Sequence, residues 1–181
     1  MKTRYIISLV MLLSFISCGY SPIMGKVVDA ETGRPIDDAV ILVEWTKAEG
    51  VPGLVSTKSY KVVETVTDKD GKFFAEGLKK IFIDAPSLTI YKKGYVAWNN
   101  KRIFPGNQFR TDFKWQNGNV YKLERFDPAY SYVEHDSFVS DSIHRGAASE
   151  QKGLFITKYD EGEELNVMRE RSNTSTGGGL K

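Results

Sequence analysis

Between Ile23 and Arg125 the apolar residues fall in short runs, each closed by residues that turn a chain, and no long amphipathic helical pattern crosses that interval. Runs of that length separated by turn chemistry are strands, and the expected class is mainly β. Ile23 to Val28 is the first, and Asp29-Ala30-Glu31-Thr32-Gly33-Arg34-Pro35 turns the chain, with Gly33 free to take positive φ and Pro35 fixing the exit. Asp38 to Trp45 is the second. Its run Val40-Ile41-Leu42-Val43 is apolar on both faces and belongs in mid-sheet.

Glu49-Gly50-Val51-Pro52-Gly53 reads as a loop and Ser59 to Thr67 as the third strand. Asp68-Lys69-Asp70-Gly71 predicts a tight hairpin returning through Lys72 to Glu76, because Asp-Gly accepts the positive φ of a two-residue connection. Ser87 to Lys92 is the next strand. Thr111 to Trp115 and Val120 to Arg125 are joined by Gln116-Asn117-Gly118-Asn119, whose Asn-Gly pair predicts a second hairpin. Val40, Leu42, Val62, Phe73 and Ile90 are the expected sandwich core, and Gly71 and Gly94 the expected positive-φ positions.

The N-terminus has a different character. Lys2 and Arg4 precede an apolar run from Tyr5 to Ile16. As a helix it would rise only about 18 Å, against about 30 Å of bilayer hydrocarbon, so residues 1–17 read as a secretory signal peptide rather than a span. The sole cysteine stands directly after it, in Phe15-Ile16-Ser17-Cys18-Gly19, a stretch that resembles the lipobox of bacterial lipoproteins, with Phe15 where that family usually carries Leu. The resemblance implies cleavage before Cys18, lipidation of its thiol and new amine, and residence on the cell-envelope membrane, the outer one if the host has two. Several acyl chains hold a soluble domain firmly where one holds it transiently. An ordinary signal peptide cut near Ser21, or a buried N-terminal strand, is the alternative.

Three signatures recur at a characteristic spacing over residues 22–98. They are Gly25-Lys26-Val27-Val28-Asp29 with Thr32-Gly33-Arg34-Pro35-Ile36 and Ala39-Val40, then Thr67-Asp68-Lys69-Asp70-Gly71-Lys72-Phe73, then Tyr91-Lys92-Lys93-Gly94-Tyr95. Together they resemble the carboxypeptidase regulatory-like domain. The resemblance implies a small transthyretin-like antiparallel β-sandwich over residues 18–125, acting as a non-catalytic binding or structural unit.

Residues 126–171 form an acidic, partly helical extension, with apolar residues at helical spacing from His135 to Ala148 and from Glu161 to Arg171. Residues 172–181, rich in Ser, Thr and Gly, have nothing to bury and are expected to form a disordered tail.

The chemical inventory is sparse. Without its first 17 residues the chain carries 23 basic and 23 acidic residues, a balance that argues against nucleic-acid binding. One cysteine excludes an intrachain disulfide and a thiolate zinc site. His135 and His144, the only histidines, lack a carboxylate at metal-binding spacing, and no nucleophile elbow or P-loop occurs. Asp68, Asp70 and Glu76 fall short of a calcium loop, since Lys69 and Lys72 interrupt them. No catalytic residue, metal or cofactor is expected.

The densest cluster of recognition chemistry runs from Tyr91 to Trp115, where aromatic rings alternate with amides and cations. Tyr95, Trp98, Asn99, Asn100 and Trp115 are the candidate ligand-binding residues, besides Cys18 for lipid. The leading expectation is a lipid-anchored, non-enzymatic envelope protein that contacts another envelope protein. A carbohydrate-binding module on the same rings, or an accessory subunit of an envelope hydrolase, stands beside it. The rings also suit a plain core role.

Overall fold

The computed structural model describes residues 22–51, 53–78, 83, 85–143 and 153–176. The signal segment, Cys18 and His144 lie outside the described residues. The elements run β1 (Ile23–Asp29), β2 (Val40–Val51), β3 (Leu54–Val66), β4 (Lys72–Ala75), β5 (Ser87–Tyr91), β6 (Trp98–Asn99), β7 (Arg102–Ile103), β8 (Gln108–Phe109), β9 (Asn119–Leu123), α1 (Tyr132–Ser142) and α2 (Gly153–Thr176).

The chain is mainly β, as expected. A three-stranded sheet in the order β4-β1-β9 faces a four-stranded antiparallel sheet in the order β3-β2-β5-β6, and β7 and β8 pair as a small separate hairpin. Between the sheets lie Val27, Ile41, Val43, Trp45, Leu88, Ile90, Phe73, Tyr121 and Leu123, all buried. The far side of the four-stranded sheet is covered as well. Val40, Leu42 and Tyr91 pack there against Phe138, Val139 and Ile143 of the α1 region and Phe155 and Tyr159 of α2.

This third layer explains why β2 is apolar on both faces. Odd-numbered residues enter the sandwich and even-numbered ones meet the helices. It also corrects the expected core: Phe73 and Ile90 lie between the sheets, but Val40, Leu42 and the half-buried Val62 belong to the helix-facing side.

Five further expectations are corrected. Glu49–Gly53 is not an open loop, because β2 and β3 stay paired to Val51 and Leu54 as a long two-stranded ribbon, bulged at Trp45/Thr46. Thr111–Trp115 is not a strand. The Asn117-Gly118 turn closes no hairpin there, since Gly118 N–H donates to Met24 O (3.0 Å) and β9 runs parallel to β1, an exception in an otherwise antiparallel pattern.

The first helix occupies 132–142 rather than starting at His135, because Ser131 caps it by accepting from Glu134 N–H at 3.1 Å. The second helix runs from Gly153 to Thr176, through the start of the segment expected to be disordered. Docking on the sheet and on α1 supplies what its composition lacks. Phe155 N–H donates to Glu64 Oε1 of β3 (2.9 Å) at the start of α2, and Glu170 reaches the start of α1, receiving N–H donations from Tyr132 (2.7 Å) and Val133 (3.3 Å) and the Ser131 hydroxyl.

Two glycines are dictated by backbone. Gly71 has φ +73°, and a Cβ there would lie 2.4 Å from Val27 O, whereas Gly94 has φ +83° with open space around it.

A groove at the sandwich seam

β9 is one edge strand of the three-stranded sheet and β6 one edge strand of the four-stranded sheet, and their Tyr121 and Trp98 rings meet at 4.9 Å between centroids. The link between them is short: Val96 N–H donates to Glu124 O (2.8 Å) and Phe126 N–H to Gly94 O (3.0 Å). Beside this link opens a groove of about 640 Å³, lined on one side by Val120, Tyr121, Lys122 and Glu124 and on the other by Arg110, Asp112, Phe113 and Lys114, with Trp98 between.

The aromatic residues form a connected cluster. Trp98 meets Phe113 at 5.3 Å and Tyr121 at 4.9 Å between ring centroids, both edge to face, and Trp115 meets Phe113 at 4.9 Å. The Arg110 guanidinium lies 4.7 Å from the Trp98 ring centroid. It is held there by Nε donating to Asn99 O (2.8 Å) and by an ion pair to Asp112 (3.2 Å).

Tyr121 projects into the sandwich, where its ring occupies the space a Cβ on Gly25 would need, 2.5 Å from the ring. The residue is 2% exposed, and its hydroxyl has no hydrogen-bond partner among the described residues. Burial pushes its pKa up to about 12, and the neighbouring Asn119 amide, which stays outside hydrogen-bonding geometry, works in the opposite direction. A buried hydroxyl left unpaired costs stability.

The five candidate residues separate. Trp98 lines the groove and Trp115, 36% exposed, packs behind Phe113. Asn99 and Asn100 are buried with their amides spent internally. Asn99 donates to Thr89 Oγ1 (3.0 Å) and accepts from Lys101 N–H (2.8 Å), and Asn100 accepts from Leu88 N–H (2.8 Å) and donates to Pro86 O (3.1 Å), continuing the β5 ladder with its side chain.

Tyr95 donates its hydroxyl to Asp29 Oδ2 (3.0 Å), which also receives Arg125 Nε (2.9 Å). Hydrogen bonding from Thr32, then Tyr95, and the charge of Arg125 hold the Asp29 carboxyl down at about 2. This cluster locks the first turn and lies outside the groove. Arg110, Phe113 and Tyr121 are the groove residues that single-residue reasoning did not select. The Asn-Gly turn preceding β9 is the one sequence signal near them, and by itself it fits a hairpin equally well.

His135 is fully buried, with Nε2 accepting from Ala97 N–H (2.9 Å) and its ring against Phe104 and Phe126. It serves packing. Asp68 caps its own turn by accepting from Asp70 and Lys72 N–H, and Asp70 pairs with Lys72. Among the described residues no group of three or more His, Cys, Asp or Glu is placed to hold a metal ion, and no helix is long and apolar enough to cross a membrane.

Neither a family model nor a curated protein matches the chain. Among solved structures, a 9R-lipoxygenase from Cyanothece is similar over 62% of this chain and 18% of its own, at 17% identity and a TM-score of 0.31. A likeness of that size carries no argument about fold or chemistry.

Proposed function

We propose that this is a lipid-anchored, non-enzymatic envelope protein whose carboxypeptidase regulatory-like sandwich binds another envelope component through the seam groove. The observation that carries the reading is the groove itself: a concave site with aromatic walls and a few oriented charges. The tether is supported by the placement of Cys18 after a short apolar run behind Lys2 and Arg4. Residues 22–98 support the module, through the turn and strand signatures quoted above.

Metabolic labelling with an alkyne fatty acid tests the anchor. Wild type is expected to take up label and fractionate with membranes, and Cys18→Ala to lose both. Equal labelling of the two proteins would refute it.

A glycan is the weaker reading of the same surface. Sugar stacking needs an open ring face, and the Arg110 guanidinium lies over Trp98 while Trp115 is turned against Phe113.

A further inference from the structure

One wall of the groove is an unpaired strand edge. β9 pairs with β1 alone, in the register Val27↔Tyr121 and Asp29↔Leu123. Leu123 O accepts from Ala30 N–H on the β1 side, and Glu124 O accepts from Val96 N–H on the opposite side. By alternation, the backbone groups of Val120 and Lys122 point away from β1 into the groove, and among the described residues none is hydrogen-bonded. The sequence pattern assigned residues 111–115 as the strand that would occupy this edge. In the fold that segment forms the opposite wall instead, tied by Asn119 Nδ2 to Lys114 O (2.9 Å).

The charges lining the groove do not cancel. Asp112 pairs with Arg110, which leaves the exposed Lys114 and Lys122 against Glu124 alone, and neither lysine has an ion-pair partner among the described residues. Trp98 and Phe113 line the groove with them.

We propose that the groove takes an extended, acidic peptide segment of a partner protein, which pairs with the outward backbone groups of Val120 and Lys122 and becomes a fourth strand beside β9. This deepens the binding-module reading and rests on it. In strand addition the main chain supplies affinity and alternate side chains supply selectivity. One face of the added strand meets Trp98 and Phe113, and its carboxylate lies near Lys114 and Lys122.

The test begins with a displayed library of random heptapeptides selected on the detergent-solubilised full chain. The strongest selected peptide is then titrated while backbone amide resonances are followed. The expected result is selection of sequences with an apolar residue beside Asp or Glu, and shifts centred on Val120 and Lys122. Val120→Pro removes one outward N–H at a position where an edge strand tolerates proline, and should weaken binding about tenfold or more with the thermal transition little changed. Lys114→Glu with Lys122→Glu should reverse the preference toward basic peptides.

Binding untouched by Val120→Pro, or no peptide selected at all, overturns the proposal. If a glycan array instead yields a ligand whose shifts map to the groove, strand addition fails while the binding-module reading survives. If neither peptide nor glycan moves groove resonances, both fail.

Discussion

Protonating His135 should unfold the helical layer, and the size of the effect follows from its surroundings. Burial lowers its pKa from 6.5 to about 4, with Asp136 acting weakly in the other direction. Nε2 accepts the Ala97 N–H, so a proton there would set donor against donor, and among the described residues Nδ1 has no partner to stabilise an imidazolium. The unfolded chain therefore binds the proton first. Stability from this group is complete above pH 6.5 and is lost as pH falls toward 4, with no further loss below.

At about 1.4 kcal/mol per pH unit, the full loss is about 3 kcal/mol, and most of it is gone by pH 4.5. Asp29, Glu49 and Glu170, all lowered, begin to lose their contribution only as pH nears the ordinary carboxylate values of 3.8 to 4.5, at the foot of this window, and do so equally in wild type and in a variant at His135. Urea denaturation of wild type and His135→Gln at half-unit steps from pH 7 to 4.5 measures the effect. The glutamine retains an acceptor for Ala97 and cannot titrate, so its stability should stay nearly flat where wild type falls, and any contribution from His144 is common to both. Parallel curves would refute the reasoning.

Gly94→Ala should cost about 1 kcal/mol, the backbone penalty alone, while Gly71→Ala should cost clearly more, since its methyl would meet Val27 O; denaturant midpoints of the pair check the order. Glu170→Gln should weaken the joint between α2 and the start of α1 by about 1 kcal/mol, seen as faster amide exchange at Tyr132 and Val133. Tyr121→Phe removes an unpaired buried hydroxyl and should leave stability unchanged or raise it by about 1 kcal/mol; a loss beyond that by thermal melting would mean the hydroxyl has a partner in the folded protein.

Local chemistry was enough for much of the framework. Asp68 to Gly71 turns as its residue types require, Gly71 and Gly94 take positive φ, and the doubly apolar run in β2 lies inside a sheet. These are properties of a few consecutive residues, set by backbone sterics and side-chain alternation, so they are readable without the rest of the chain. The function class was less legible. Asn99 and Asn100 have the chemistry of ligand contacts, and only their burial against β5 shows that their amides hold the protein together.

Tertiary structure alone decided which partners each strand and face would meet. Nothing near Val40 or Leu42 distinguishes a residue facing the second sheet from one facing α1 and α2; that depends on a helical layer more than 90 residues further along the chain. Asn117-Gly118 permits a sharp turn whichever strand follows, and the parallel pairing of β9 with β1 prevailed over the local hairpin. That choice left the outer edge of β9 open, and the groove exists because of it. Turn preferences act over four residues, whereas strand pairing is settled by the apolar surface that the whole sandwich buries.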